Sequence, residues 1–265
     1  MVGDAISKKK RITIGILSCV ICLSGYLWMS HKQHQINKKD TTLPTLSQFG
    51  EGIEKITTRD AAGDVWVIDD SIATGGRLIY GFAVGVIIFA TLGVLMGCYQ
   101  PMSAFFLPPI NFLSKIPPTA MLAVYFVLFG IETQLFVAMI ALGIGPTLAM
   151  SIYDSVNKDV KDHALYKAYT LGASHMEVVY EVVFKQILPR IIQNIQLQIG
   201  PAMVFLIAAE WMIADMGFGY RLRIQSRLLN MNVVYLYLCL LGLAGFGFTS
   251  AGTIVRRKLC GWFGE

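Results

Sequence analysis

The stretch KAYTLGASHMEVVYEVVFKQILP (167–189) is polar, periodic and punctuated by glycine, in a chain that is otherwise largely apolar. Val160, Ala164, Ala168 and Leu171 fall at helical spacing and Gly172 follows as a natural terminator, so a short amphipathic helix is expected to end there. Beyond it, Glu177, Glu181 and Lys185 recur every fourth residue, while Val178, Val179, Val182 and Val183 fill the other side. Four valines favour a strand by propensity. The period of four, not two, instead predicts a second helix, with Glu181 and Lys185 paired one turn apart. Pro189 is expected to open the next helix, where a missing N–H does little harm. A helix, a glycine bend and a second helix form either an interfacial element resting on lipid or a docking element for a groove on a partner.

The flanking sequence defines the solvent. Of 265 residues 55% are hydrophobic and 15% charged, with a mean hydropathy of +0.58, whereas a soluble domain is about one quarter charged. A bilayer core takes about 20 apolar residues in helical form, and the runs 12–29, 78–99, 135–153, 191–213 and 233–254 meet or approach that length. A sixth run, 105–131, is interrupted by Pro108, Pro109, Lys115, Pro117 and Pro118. Its spanning part is expected near 118–130, with the preceding part lying against the membrane or packed on other helices. An all-α membrane protein with about six transmembrane helices follows. Gly81, Gly85, Gly93 and Gly97 are spaced in fours on the second run, which lets another helix backbone approach closely.

Charge placement gives the orientation. Lys8, Lys9, Lys10 and Arg11 precede the first run, and Arg256, Arg257 and Lys258 follow the last. Basic clusters beside spans mark cytoplasmic ends, so the formal +5 does not point to nucleic acid. The first run outlasts any signal-peptide cleavage point and reads as an uncleaved anchor. Both termini are then cytoplasmic. The expected organisation is a cytoplasmic N-terminus and first helix at 1–30, an external loop at 31–76, a core at 77–254 carrying the cytoplasmic loop 154–189, and a cytoplasmic tail at 255–265. Asp60, Asp64, Asp69 and Asp70 suit the external assignment. Within that loop, 43–56 reads as a turn at Pro44 and a short amphipathic helix capped by Ser47. Cys19 and Cys22 in the first run read as packing, and His31 and His34 as part of a solvated loop.

No GxxxxGK[ST], HExxH or GxSxG motif is present, and no His, Asp or Cys cluster has ligand or triad spacing. An enzyme is not indicated and no cofactor is expected on this chain. If transport consumes ATP, the ATP and Mg belong to a partner. Gln196, Met203 and Glu210 lie seven apart on nearly one helix face. A carboxylate in a span is costly and faces a bundle interior or a wet cavity. Glu210 is therefore either a structural acceptor joining helices or part of a translocation pathway or gate. Arg221 and Arg223 form either an external basic edge for anions or a binding protein, or a helix snorkelling at the interface.

Several separated motifs, in order, resemble one family. KIPPTAMLAVYFVLFGI (115–131), TLGAS (170–174), ILP (187–189) and AAEWMIADMGFGY (208–220) are similar to the nitrate/sulfonate/taurine/bicarbonate branch of ABC importer permeases, as is LPTLSQ (43–48). The order Ala168, Leu171, Gly172, Ala173, Leu188, Pro189 resembles that family's EAA loop, although Tyr166 and Lys167 stand at its glutamate and first alanine and Lys185 where an earlier proline is common. The resemblance implies a type I ABC importer permease (MetI-like) in a bacterial inner membrane, homodimeric, importing a small anionic solute. It would meet a cytoplasmic ATP-binding subunit through Ala164, Ala168, Leu171, Gly172, Ala173, Leu188 and Pro189, and an external solute-binding protein on the other face. Two other classes stay open: an ion-coupled secondary transporter using the broken helix at Pro117 and Pro118 with Glu210, and a non-transporting scaffold.

Overall fold

The structure is a computed structural model and describes residues 7–37, 40–59 and 63–262. The first residues of the expected N-terminal segment, Asp60 of the expected outer loop and the last three of the tail lie outside the described residues. Among the described residues the chain is all helical: α1 (Lys8–Ile36), α2 (Leu46–Thr57), α3 (Trp66–Cys98), α4 (Gln100–Leu113), a 3-10 turn (Pro118–Met121), α5 (Leu122–Phe129), α6 (Thr133–Asp159), α7 (Asp162–Thr170), α8 (His175–Glu177), a π-helical segment (Val178–Phe184), α9 (Lys185–Leu197), α10 (Ile199–Ile213), α11 (Phe218–Arg227) and α12 (Met231–Leu259). They form two compact units, Met1–Trp66 with Ile224–Leu238, and Val67–Arg223 with Cys239–Glu265.

In the first unit, α1 exposes Ile12, Leu17 and Ile21, as a helix whose solvent is hydrocarbon can. The loop expected from residue 31 starts later. His31 and His34 belong to the last turns of α1, where His34 Nδ1 contacts the Ser30 carbonyl at 2.9 Å, and Cys19 and Cys22 are exposed and not packed. The cap of α2 is Thr45 and not Ser47. Thr45 accepts from Gln48 N while the Gln48 side chain accepts from Thr45 N, a capping box that satisfies two orphan donors. Tyr26, Phe49 and Tyr235 pack edge to face around it.

The second unit is built around α6. Its residues enter three apolar clusters among the described residues, through Met139 and Ile144, Leu148 and Ile152, and Ala149. The glycine ridge of α3 lies on it. A Cβ would meet Ile140 Cδ1 at 2.8 Å from Gly81, Ala141 Cα at 2.9 Å from Gly85, the Ala149 carbonyl at 2.7 Å from Gly93 and Val156 Cβ at 2.5 Å from Gly97. Both partners advance together, so α3 and α6 run parallel. Two parallel helices require an odd number of crossings between them. That return is made by α4 together with the 118–129 segment, which meet at 85°. The expectation of a spanning piece at 118–130 is corrected here. Twelve residues in a 3-10 turn and a short helix rise about 20 Å, less than the ~30 Å hydrocarbon core, so the crossing needs both arms. The first arm packs Ile110 against Met96 and Ala149.

The remaining spans alternate. Gln186 pairs with Asp159, Asn194 with Ser155 and Gln198 with Thr147, which makes α9 and α10 antiparallel to α6. Gln196 beside Gly252 and Met203 beside Gly245 make α12 antiparallel to them. The unit thus has two distinct ends, one at the start of α3 and α6 and the end of α10, the other at the end of α3 and α6 and the start of α9.

Candidate functional site

At the second end, α6 stops at Asp159 and Val160 caps it instead of starting the next helix. α7 follows and ends at Gly172, whose φ of +87° is a left-handed conformation that glycine adopts without Cβ strain. Gly172 N bonds the Tyr169 carbonyl and Ala173 N that of Ala168, closing the last turn. Ser174 then starts the second helix. Its hydroxyl accepts from Glu177 N and its own N–H donates to Glu177 Oε2 at 2.8 Å. This capping box was legible as S-x-x-E and is a sharper start signal than the charge period. Tyr169 and His175 close the bend at 2.9 Å.

The expected pairing of Glu181 with Lys185 is present. Pro189 is corrected. The helix is continuous from His175 through the π segment, so Pro189 lies five residues inside α9 and is buried. Its missing N–H removes a bond one turn back, next to a π segment that already loosens the ladder. Val178, Val183 and Ile187 hold the second helix, with Val183 and Ile187 packed on Ile152 and Val156 of α6. Gln186 and Arg190 bind the Asp159 carbonyl and carboxylate, at 2.9 and 3.2 Å.

Of the residues expected in this loop, Ala164, Ala168, Ala173 and Leu188 are half-buried, forming its frame. Leu171, 80% exposed, points outward, and Tyr166, Tyr169, Met176 and Tyr180 share that exposure. The sequence reading missed these aromatic and Met residues because they occupy the face that periodicity assigns to solvent.

The other end is closed by charge. Asp70, Thr74 and Arg77, spaced four and three apart on α3, face Glu210 on α10 and the turn that follows it. Glu210 and Asp70 are fully buried. Thr74 Oγ1 lies 3.0 Å from both oxygens of Glu210, Arg77 Nη1 donates to Oε1 at 2.9 Å and Gly219 N to Oε2 at 2.9 Å. Asp70 accepts from Gly217 N at 2.9 Å and from Arg221 Nε at 2.7 Å, and Phe218 N donates to Thr74 at 2.8 Å. Three successive amides at the start of α11 thus meet oxygen acceptors, two of them carboxylates, which suits the positive end of a helix. The carbonyls of Trp211, Met212 and Ala214 at the end of α10 accept from Arg223, and that of Met216 from Arg77. Two carboxylates and two guanidinium groups balance, and Arg77 also stacks on Phe136 at 4.2 Å.

This geometry corrects two expectations. Arg221 and Arg223 do not stand alone as a basic edge: one is ion-paired to a buried carboxylate and the other caps a helix end. Glu210 is separated from Gln196 and Met203, which face α12 through Thr249, Thr253 and Gly245. Nor does it meet the break at Pro117 and Pro118, whose cavity is lined by Gln198 and not by Glu210. The glycines of ADMGFGY are explained by the same contact. A Cβ on Gly217 would lie 2.6 Å from Glu210 Oε1, and one on Gly219 2.5 Å from Glu210 Cβ.

Residues 89–259 match the family described as binding-protein-dependent transport system inner membrane component. The chain belongs to this family. It is similar to the taurine transport system permease protein TauC of Escherichia coli, 24% identical over 98% of this chain and 92% of that protein. It is also similar to the aliphatic sulfonates permease SsuC of Bacillus subtilis, 23% identical over 70% and 67%. In fold this permease matches a chain of the inward-facing MetNI methionine ABC transporter with a TM-score of 0.64 at 18% identity, covering 72% of this chain and 94% of that one.

Proposed function

We propose that this permease is the transmembrane subunit of an ATP-driven importer of a small anionic solute, of the taurine or sulfonate type. A separate ATPase would dock on the Gly172 loop and a solute-binding protein would deliver cargo at the Glu210 end. The observation that carries the reading is the exposed apolar face of Tyr166, Leu171, Met176 and Tyr180, mounted on a bend that is bolted to α6. A groove on a partner covers such a face, and the bolts transmit a push to the span. TauC and SsuC, named for taurine and aliphatic sulfonates, support the solute class.

The ATPase carries the nucleotide and Mg. The permease acts as a homodimer, with the Gly172 loop and both termini cytoplasmic, an orientation that the basic ends of α1 and α12 support. Gly172→Asp tests this in vesicles reconstituted with the ATPase and binding protein. It should insert at wild-type level while coupled uptake is lost. Normal ATP-dependent uptake in that variant would remove the docking role from the loop.

A further inference from the structure

We propose that Lys115, with Thr147 and Gln198, forms an anion-binding station at mid-depth in the permease, taking a small oxyanion in transit. The inference rests on the importer reading and adds a site to it. Three departures from regular helix bonding meet: the non-helical chain at 114–117 between α4 and the 3-10 turn, Pro146, which removes one bond inside the continuous α6, and the junction of α9 and α10 at Gln198. Thr147 stands at the midpoint of α6, well inside that span.

The interruptions enclose a cavity of about 500 Å³ lined by Lys115, Pro118, Thr147, Gln198 and Phe205 among others. Irregular backbone at that depth is tolerated where it lines a wet cavity, and broken helices mark solute sites in other transporters.

The polar groups that line it include several donors. Lys115 is exposed, and its ammonium has no ion-pair partner among the described residues. An unpaired cation on an apolar segment is costly in a membrane and marks a solute path. Gln198 is nine-tenths buried, and its side-chain amide meets the Thr147 hydroxyl at 3.2 Å, while that hydroxyl also contacts the Ile144 carbonyl at 2.9 Å. An amide N–H₂ carries two donors, so whichever end faces Thr147 at least one N–H remains for a ligand. An ammonium and an amide N–H₂ suit a sulfonate or a similar oxyanion and repel a cation. The cavity holds no carboxylate, and Glu210 is locked elsewhere with its own arginine.

The test uses the reconstituted transporter, with taurine as solute and uptake normalised to inserted permease. Lys115→Met should lower uptake about tenfold or more while Lys115→Arg retains most of it. A second readout does not need transport. In a background with the native cysteines replaced, Thr147→Cys should react faster with sulfonatoethyl than with trimethylammonioethyl methanethiosulfonate, and Lys115→Met should abolish that preference. Uptake by Lys115→Met within about twofold of wild type, or an unchanged reagent preference, overturns the station. If wild type moves no anionic solute, the importer reading fails, and the reagent preference alone then decides whether Lys115 attracts anions.

Discussion

The two ends of the α6 unit are built by opposite means. At the Glu210 end, two fully buried carboxylates are paired with two arginines and three successive amides meet oxygen acceptors. At the Gly172 end an apolar frame holds tyrosine, leucine and methionine out in the open. In the proposed reading the exposed apolar end docks the ATPase, while the conspicuous charges at the other end bond to one another. A buried ion pair is satisfied within the fold, whereas an uncovered apolar face costs solvation until something covers it.

The comparison can be broken at several points. Arg77→Met leaves Glu210 buried opposite no charge and should cost about 3–5 kcal/mol, read as a lowered unfolding midpoint in detergent. An unchanged midpoint would mean that the Glu210 end is not a clamp. Gly93→Leu pushes α3 from the Ala149 carbonyl and should cost about 1–3 kcal/mol by the same measurement. Gly172→Ala has open space around it, so only the left-handed backbone opposes it, at about 1–2 kcal/mol. Leu171→Asp should leave the midpoint where it was and reduce ATP-coupled uptake. A midpoint that falls as far as for Gly93→Leu would show that Leu171 is packed. Lys185→Ala removes an exposed pair and should move neither readout.

Much of this architecture was readable in the residues. Runs of apolar sequence located five spans, because a helix in hydrocarbon must satisfy its backbone internally and leaves a continuous signature. The spacing of Gly81, Gly85, Gly93 and Gly97 announced a close helix contact, and the period of four from Glu177 overrode the valines. Span ends were less legible. α3 begins at Trp66, so Asp70 and Arg77, first assigned to or beside an outer loop, are helical residues facing Glu210.

What the sequence by itself determined is the solvent, the number of apolar spans and the glycine bend, since these depend on local composition and period. Which charges are partnered was decided by tertiary structure alone. Asp70 lies 151 residues from Arg221 and Thr74 136 from Glu210, and no local pattern encodes a bond across that distance. The same holds for the parallel run of α3 and α6, which turns a broken pair of short helices into one crossing. It also holds for Lys115, an interruption in one dimension that lines a cavity in three.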